Sequence, residues 1–376
     1  EMADLLSPSI DTISVAGTHT ATLNFSSPTT LAQGDYDLAI EATGEASYRL
    51  PVPVNCSYVW SGSAGTAWST PANWLGGVLP GESDGVVFGN LGGTTSNPTP
   101  TNLVVSADTT VSSIRFAQDQ SNGTKAYNIE VQSGAKLSAT GTGGFSMLRD
   151  AKVPQAAQTM DLKISGAGSF IVNNDAANFA NHIDGQLNAT LDMRDLNYFY
   201  AQVNRLPFGD YRAYPNFFTN GWAGGVTGNE VSRFAPQIYL AKTNVIKAAY
   251  VDPNNYNDLG ERNYALTIGN YSLQGTTANL RFSFGNTNAF FLDSICFSQA
   301  LQGGSGHNYN FWSTNSVAVF RGTGGDSSRM SVFAIADAAS PAPPGNANVR
   351  GQVNFANQAN TSVDALVDRL WLAIDR

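Results

Sequence analysis

From Trp60 onward, strand-sized apolar pieces recur along the whole chain, and no capped helical stripe competes with them. Examples are "NLVVSA", "YNIEVQ", "LKISGAGSFIVNN", "QIYLAKTNVIKAAYV", "NLRFSFG" and "RMSVFAIADA", each bounded by Gly or Asn turns. Short alternating runs between turn signals read as strands. Pairs such as "YLAKTNVIKA" and "LTIGNYSLQG" share an apolar-turn-apolar form, with Asn244 or Asn270 at the corner. Asn tolerates a left-handed corner, and its amides can stack into ladders. Comparable pairs return roughly every 20–25 residues, within the range of solenoid repeats. The fold class this predicts is all-β: a right-handed parallel β-helix, or β-solenoid, with uneven loops over residues 57–376.

Composition agrees with this reading. Only 13% of the 376 residues are charged, about half of the roughly 25% usual in soluble globular proteins. Ser, Thr, Asn and Gly fill the positions that Lys and Glu usually take, which suits an extracellular β-protein. Disorder is argued against by 42% hydrophobic and 11% aromatic residues. The net charge of −9 disfavours nucleic acid, whose phosphates need a basic partner surface, and also docking on anionic membranes. No apolar run approaches the roughly 20 residues of a membrane-spanning helix, so no membrane insertion by this segment is expected. "EMADLLSPSID" lacks the basic start and apolar core of a signal peptide, so the chain reads as a processed or excised piece of a longer precursor.

Residues 1–56 have a different texture. "GDYDLAIEATG" alternates cleanly, with Tyr36, Leu38 and Ile40 on one side and Asp37, Ala39 and Glu41 on the other. The order "SVAGTHTATLNFSSPTTLAQGDYDLAIEATG" resembles the second half of bacterial immunoglobulin-like domains. A full sandwich of that type has about 100 residues and seven strands. A partial immunoglobulin-like β domain is therefore expected over 1–56, with its missing strands lost upstream or donated by a partner.

Three of the six tryptophans lie in "VWSGSAGTAWSTPANW". A solenoid's first coil exposes unpaired backbone and an apolar cross-section, so it needs a cap. Trp60, Trp68 and Trp74, shaped by Pro71 and held by Asn73, are suited to be that cap, at about residues 58–90. A sugar-stacking platform is the alternative and would need exposed ring faces.

The block that carries these tryptophans reads Trp60-Gly62, Trp68-Pro71-Asn73-Trp74, Pro80-Gly81, Asp84 and Phe88-Gly89, followed by "TVSSIRFAQ" and "YNIEVQSGAKLSATG". Over residues 58–141 this resembles the opening of large extracellular bacterial β-strand-repeat proteins of the autotransporter-associated repeat type. The resemblance implies a secreted or surface β-solenoid, usually without known catalytic residues.

Candidates for chemistry are sparse. His19, His182 and His307 are widely spaced, so a zinc site or a His-based triad is not expected. "LDMRDL" offers Asp192, Arg194 and Asp195, of which Asp192 and Arg194 share a strand face. They are candidates to polarise an acidic sugar, or a solvated pair worth under about 1 kcal/mol. "DPNNYND" places Asp252, Asn254 and Asp258 as in a calcium loop, but without the usual Gly and distal Glu; a polar turn is the preferred account. No other cofactor is called for. Cys56 and Cys296 can pair only if their α-carbons lie within about 7 Å, and a buried thiol is the alternative for Cys296. The aromatic stretch "YFYAQVNRLPFGDYRAYPNFFTNGW" suggests a loop over the solenoid side or a partner or glycan surface.

The leading functional expectation is a non-enzymatic extracellular or cell-surface protein, a fibre-forming β-solenoid segment that self-associates head to tail. The alternative is a carbohydrate-binding or carbohydrate-cleaving β-helix, with glycans as partners.

Overall fold

The computed structural model describes residues 58–89, 103–118, 123–149, 158–180, 188–210, 237–251, 264–271, 281–300, 305–338 and 349–374, and the backbone of strands at 7–10, 23–26, 34–42 and 48–56. From residue 58 onward the strands join one continuous ladder of 21 strands. Every named strand pair in it is parallel, and each strand pairs with the equivalent strand of the next coil. This is the parallel β-helix that the recurring strand pieces predict.

Each full coil contributes to three faces in a fixed order. Arg281–Phe284 lies on the first face, Thr287–Phe291 on the second and Ser294–Ala300 on the third. The next coil repeats the order with Ser305–Phe311, Val317–Arg321 and Met330–Ala338. Toward the start, longer strands such as Lys136–Arg149, Gln158–Ala180 and Leu196–Asp210 bend from one face to the next without leaving the ladder. Glycine permits these bends: at Gly166, with φ +106°, a Cβ would lie 2.1 Å from the Val131 carbonyl oxygen.

Stacking in register builds the core from columns of like side chains. On the first face Tyr127, Leu162, Leu191, Ile238, Phe282 and Tyr309 stand one above another, all buried. On the second face Val172, Ala201, Ile246, Phe290 and Phe320 do the same. Parallel strands about 4.8 Å apart bring equivalent rings into contact, and Phe290 and Phe320 stack at 4.8 Å with 10° between planes.

One column changes character midway. Leu137, Phe170 and Phe199 are followed in register by Asn244 and Asn288, then by Ala318. Both asparagines are fully buried, and every polar atom of both amides is used. Asn244 Nδ2 donates to Asn288 Oδ1 at 2.9 Å and to the Ala241 carbonyl at 2.7 Å, while its Oδ1 accepts from Ala241 N–H at 3.0 Å. Asn288 repeats this with Gly285 and donates onward to the Val317 carbonyl at 2.9 Å. A buried polar group so satisfied fixes the register of the coils around it. The expected corner amide at Asn244 is thus present, but it stacks on Asn288; Asn270 stands on the third face, opposite Gln299.

Coil length departs from the expected 20–25 residues. Residues hydrogen-bonded across adjacent coils are 29 apart at Thr140 and Val111, 27 at Ser283 and Asn310, and 44 at Asn244 and Asn288. The strand pieces have the expected size, but residues between faces lengthen individual coils, which strand periodicity does not count.

The four N-terminal strands form two antiparallel ribbons, Ser7–Ile10 with Leu23–Ser26 and Gly34–Ala42 with Tyr48–Cys56. "GDYDLAIEA" is a strand as its alternation predicts.

Candidate functional site

The tryptophan segment closes the first coil in two ways. Trp60, Trp68 and Trp74 are buried over Phe88, with ring centroids 6.4, 6.0 and 6.2 Å from it. Trp74 meets Trp60 edge-on at 5.1 Å and Trp68 at 4.8 Å. Below them an aromatic column continues inward: Phe88 stacks on Phe116 at 4.8 Å, and Phe116, Phe145, Phe170 and Phe199 follow in contact. Buried ring faces exclude the sugar-platform reading of this segment.

The segment also satisfies the backbone of the edge strands. Val104 N–H donates to the Thr66 carbonyl at 2.8 Å, and Trp68 N–H to the Val104 carbonyl at 2.9 Å. On the third face Trp60 N–H donates to the Val87 carbonyl and Leu75 N–H to the Val59 carbonyl. Pro71–Asn73 forms a 3-10 turn with Pro in its first positions. The buried Asn73 amide clamps the loop, accepting from Ala64 N–H at 2.7 Å and donating to the Ala67 carbonyl at 2.9 Å. Asp84 accepts from Gly81 N–H at 2.6 Å, which explains the Gly-x-x-Asp spacing after Pro80.

The opposite end is built differently. The last coil consists of Val349–Asn354, Ser362–Ala365 and Val367–Ile374. Leu370 and Leu372 continue the buried Phe333 and half-buried Ile335 columns in register, yet are 57% and 62% exposed. Among the described residues nothing covers them.

Asp192 ends the first-face strand Asn188–Asp192 and Arg194 stands in the turn after it rather than in the strand, yet the two side chains meet. Arg194 Nε and Nη2 donate to the two Asp192 carboxylate oxygens at 3.0 and 2.6 Å, and its guanidinium lies 4.1 Å from the Tyr239 ring centre. Asp195 instead pairs with Lys163 at 2.5 Å. Burial raises the Asp192 pKa, but the Arg194 hydrogen bonds and the charges of Arg194 and Lys163 outweigh it, so the net shift is downward. Asp192 and Arg194 neutralise each other in a bidentate pair, an arrangement that leaves neither poised to exchange a proton with a substrate.

A cleft on the outer second face was not visible from sequence. It has a volume of about 500 Å³ and is lined by Gln202, Lys247, Phe291, Thr323 and the carboxylates Asp175 and Asp326, with Ala248 and Ala249. Gln202, Lys247 and Phe291 come from three successive strands in one register row, which ends at Arg321. Arg321 is buried and fixes the wall: it donates to the Asp326 and Asp364 carbonyls at 2.8 and 3.0 Å and to Asp364 Oδ2 at 2.6 Å. Lys247 Nζ sits between the rings of Tyr200 and Phe291, 5.8 and 5.9 Å from their centres.

Comparison with protein families, with curated proteins and with solved structures finds no match for this chain.

The remaining sequence candidates are only partly within reach. Asp252, Asn254 and Asp258 lie outside the described residues, as do His19 and His182. Among the described residues no cluster of three His, Cys, Asp or Glu is placed to hold a metal ion. Cys296 is buried beside Tyr264, Val332 and Ala334, with Trp371 packed against them; the Cys56 side chain, and hence their pairing, lies outside the described residues. Of the aromatic stretch, Phe199 is a core residue and Tyr198 and Tyr200 are half-buried on the second face, so its opening is strand rather than loop; residues 211–236 lie outside the description.

Proposed function

We propose that this chain is an extracellular structural β-solenoid segment that associates head to tail through its third face. One observation carries the reading. Of the six large apolar side chains that stand exposed among the described residues, two lie on the last strand of that face and three in the segment that starts at Leu75, which bonds its first strand. Leu75, 45% exposed, donates its N–H to the Val59 carbonyl of the first third-face strand, Tyr58–Val59, and Val78 and Leu79, 50% and 39% exposed, follow it in the chain. Leu370 and Leu372 lie on the last one, Val367–Ile374.

The two patches differ in structure, so contact between them is heterologous and propagates as an open filament rather than closing as a dimer. Strand edges on the last coil add main-chain hydrogen bonds to the apolar contact. The neutral polar composition and the resemblance of residues 58–141 to extracellular β-strand-repeat proteins support the surface location. The buried tryptophans and the mutual neutralisation of Asp192 and Arg194 support a scaffold over a catalyst.

Negative-stain electron microscopy across a concentration series tests this. Filaments with a regular axial repeat are expected, shortened or abolished by Leu372→Lys and by Val78→Lys. Dispersed single rods at every concentration would overturn the assembly.

A further inference from the structure

The second-face cleft has the chemistry of a sugar site rather than of a bare structural surface. Its volume of about 500 Å³ falls within the roughly 300–1,000 Å³ of small-molecule sites. Its floor and walls come from separate coils: Asp175 and Gln202 from two early strands, Lys247 and Phe291 from the middle, and Thr323 and Asp326 from the turn after Val317–Arg321. That turn is ordered by its own backbone. Gly322 N–H donates to the Ser328 carbonyl at 2.9 Å, and the buried Arg321 holds the Asp326 carbonyl. Among the described residues nothing bonds the Asp326 carboxylate, which is exposed on a loop that these backbone bonds hold.

Charge narrows the ligand. One ammonium, Lys247, faces two carboxylates, Asp175 and Asp326, and no ion pair within 4.0 Å joins any of the three among the described residues. Separated, unneutralised acceptors and donors around an aromatic ring suit vicinal hydroxyls, which donate to carboxylate and accept from ammonium while the ring covers a C–H face. The Gln202 carbonyl oxygen is already engaged by the Tyr200 hydroxyl at 2.6 Å, which orients its amide NH₂ as a donor. An anionic sugar would meet two carboxylates for one cation, and nucleotide phosphates more so.

We infer that the cleft formed by Gln202, Lys247, Phe291 and Asp326 binds a hydroxyl-rich glycan unit that is uncharged or carries an amine, and that it discriminates against uronates. This site does not depend on head-to-tail assembly: it lies on the second face, away from both apolar patches of the third. In the assembled reading, a filament would repeat the cleft along its length and gain avidity for a polymeric glycan.

The test is binding of the full chain to a printed array of neutral, amino and uronate oligosaccharides, followed by titration calorimetry with the best trisaccharide. Expected is saturable binding to neutral or amino glycans, weakened at least ten-fold by Phe291→Ala and by Asp326→Asn. Asp326→Asn preserves the backbone contact to Arg321, so its thermal midpoint should equal that of the parent chain. Lys163→Gln, on the first face and paired with Asp195, should bind as the parent does. The inference is overturned by a folded chain that binds no glycan, by binding confined to uronates, or by binding that survives both cleft variants. Loss of filaments without loss of glycan binding would refute the assembly alone.

Discussion

The two ends of this solenoid pose the same problem and meet it in opposite ways. Each end of a parallel β-helix presents an apolar cross-section and a row of unpaired strand backbone. At the first coil, residues 58–89 cover both: Trp60, Trp68 and Trp74 close the section, and residues 66–68 pair with Val104. At the coil of Val349–Ile374, the core columns carry half-buried Val353 and Val363 and exposed Leu370 and Leu372, and nothing among the described residues covers them. What separates the ends is not hydrophobicity, since both are apolar, but whether a loop folds back across the axis. Pro71 and Asn73 make that return possible at the first end, through a tight turn and a buried amide that ties it to Ala64 and Ala67.

Breaking the cap should therefore cost most. Trp74→Ala removes a ring that is 1% exposed and that touches both other tryptophans and Phe88. About 3–5 kcal/mol of stability should be lost, read from urea denaturation, with exposure of the Phe88–Phe116 column following. A loss under about 1 kcal/mol would mean that the first coil does not depend on the plug.

The interior should respond next. Asn288→Ala strands Gly285 N–H, its carbonyl and the Val317 carbonyl. Each buried unsatisfied group costs about 1–3 kcal/mol, so a net loss on the order of 3 kcal/mol is expected by thermal and chemical denaturation.

The open end should be the reverse of the cap. Leu372→Lys, at a residue 62% exposed, should change monomer stability by less than about 0.5 kcal/mol while abolishing filaments. Equal damage to stability at both ends would erase the distinction between them.

The smallest effect concerns Asp192 on the side of the molecule. Its folded-state pKa is depressed by Arg194, so the pair's contribution is fully present above the unfolded carboxylate value of about 3.9 and is lost as pH falls through the lower folded value. Asp192→Asn should remove that part of the acid dependence and cost under about 1 kcal/mol at neutral pH. An unchanged acid-unfolding curve would show that the pair contributes nothing measurable.

How much of this was legible in the sequence depended on the range of the interactions involved. The strands were legible because alternation is local, as in "GDYDLAIEA". The cap was legible because all its parts lie within residues 58–90 and its Trp, Pro, Asn and Asp have distinctive jobs. Asn244 could be placed at a corner, but not its partner: Asn288 is 44 residues away, and coil lengths that vary with loop content hide the register. The second-face cleft was invisible for the same reason. Gln202, Lys247, Phe291 and Asp326 become neighbours only once successive coils are stacked in register, and no spacing in the linear sequence marks them.

The central claim is that, among the described residues, the first coil is sealed from within and the coil of Val349–Ile374 is not. Amide hydrogen exchange of the dilute chain, and again at assembling concentration, tests it most directly. At low concentration the amides of Trp60, Trp68, Leu75 and Val104 should be protected, while the outward-facing amides of Ser362–Ala365 and Val367–Ile374 exchange rapidly. Raising the concentration should slow exchange in those two strands and leave the tryptophan segment's own hydrogen bonds unchanged. A tryptophan segment that exchanges as fast as the last coil, or terminal strands already protected in the dilute monomer, would contradict the account.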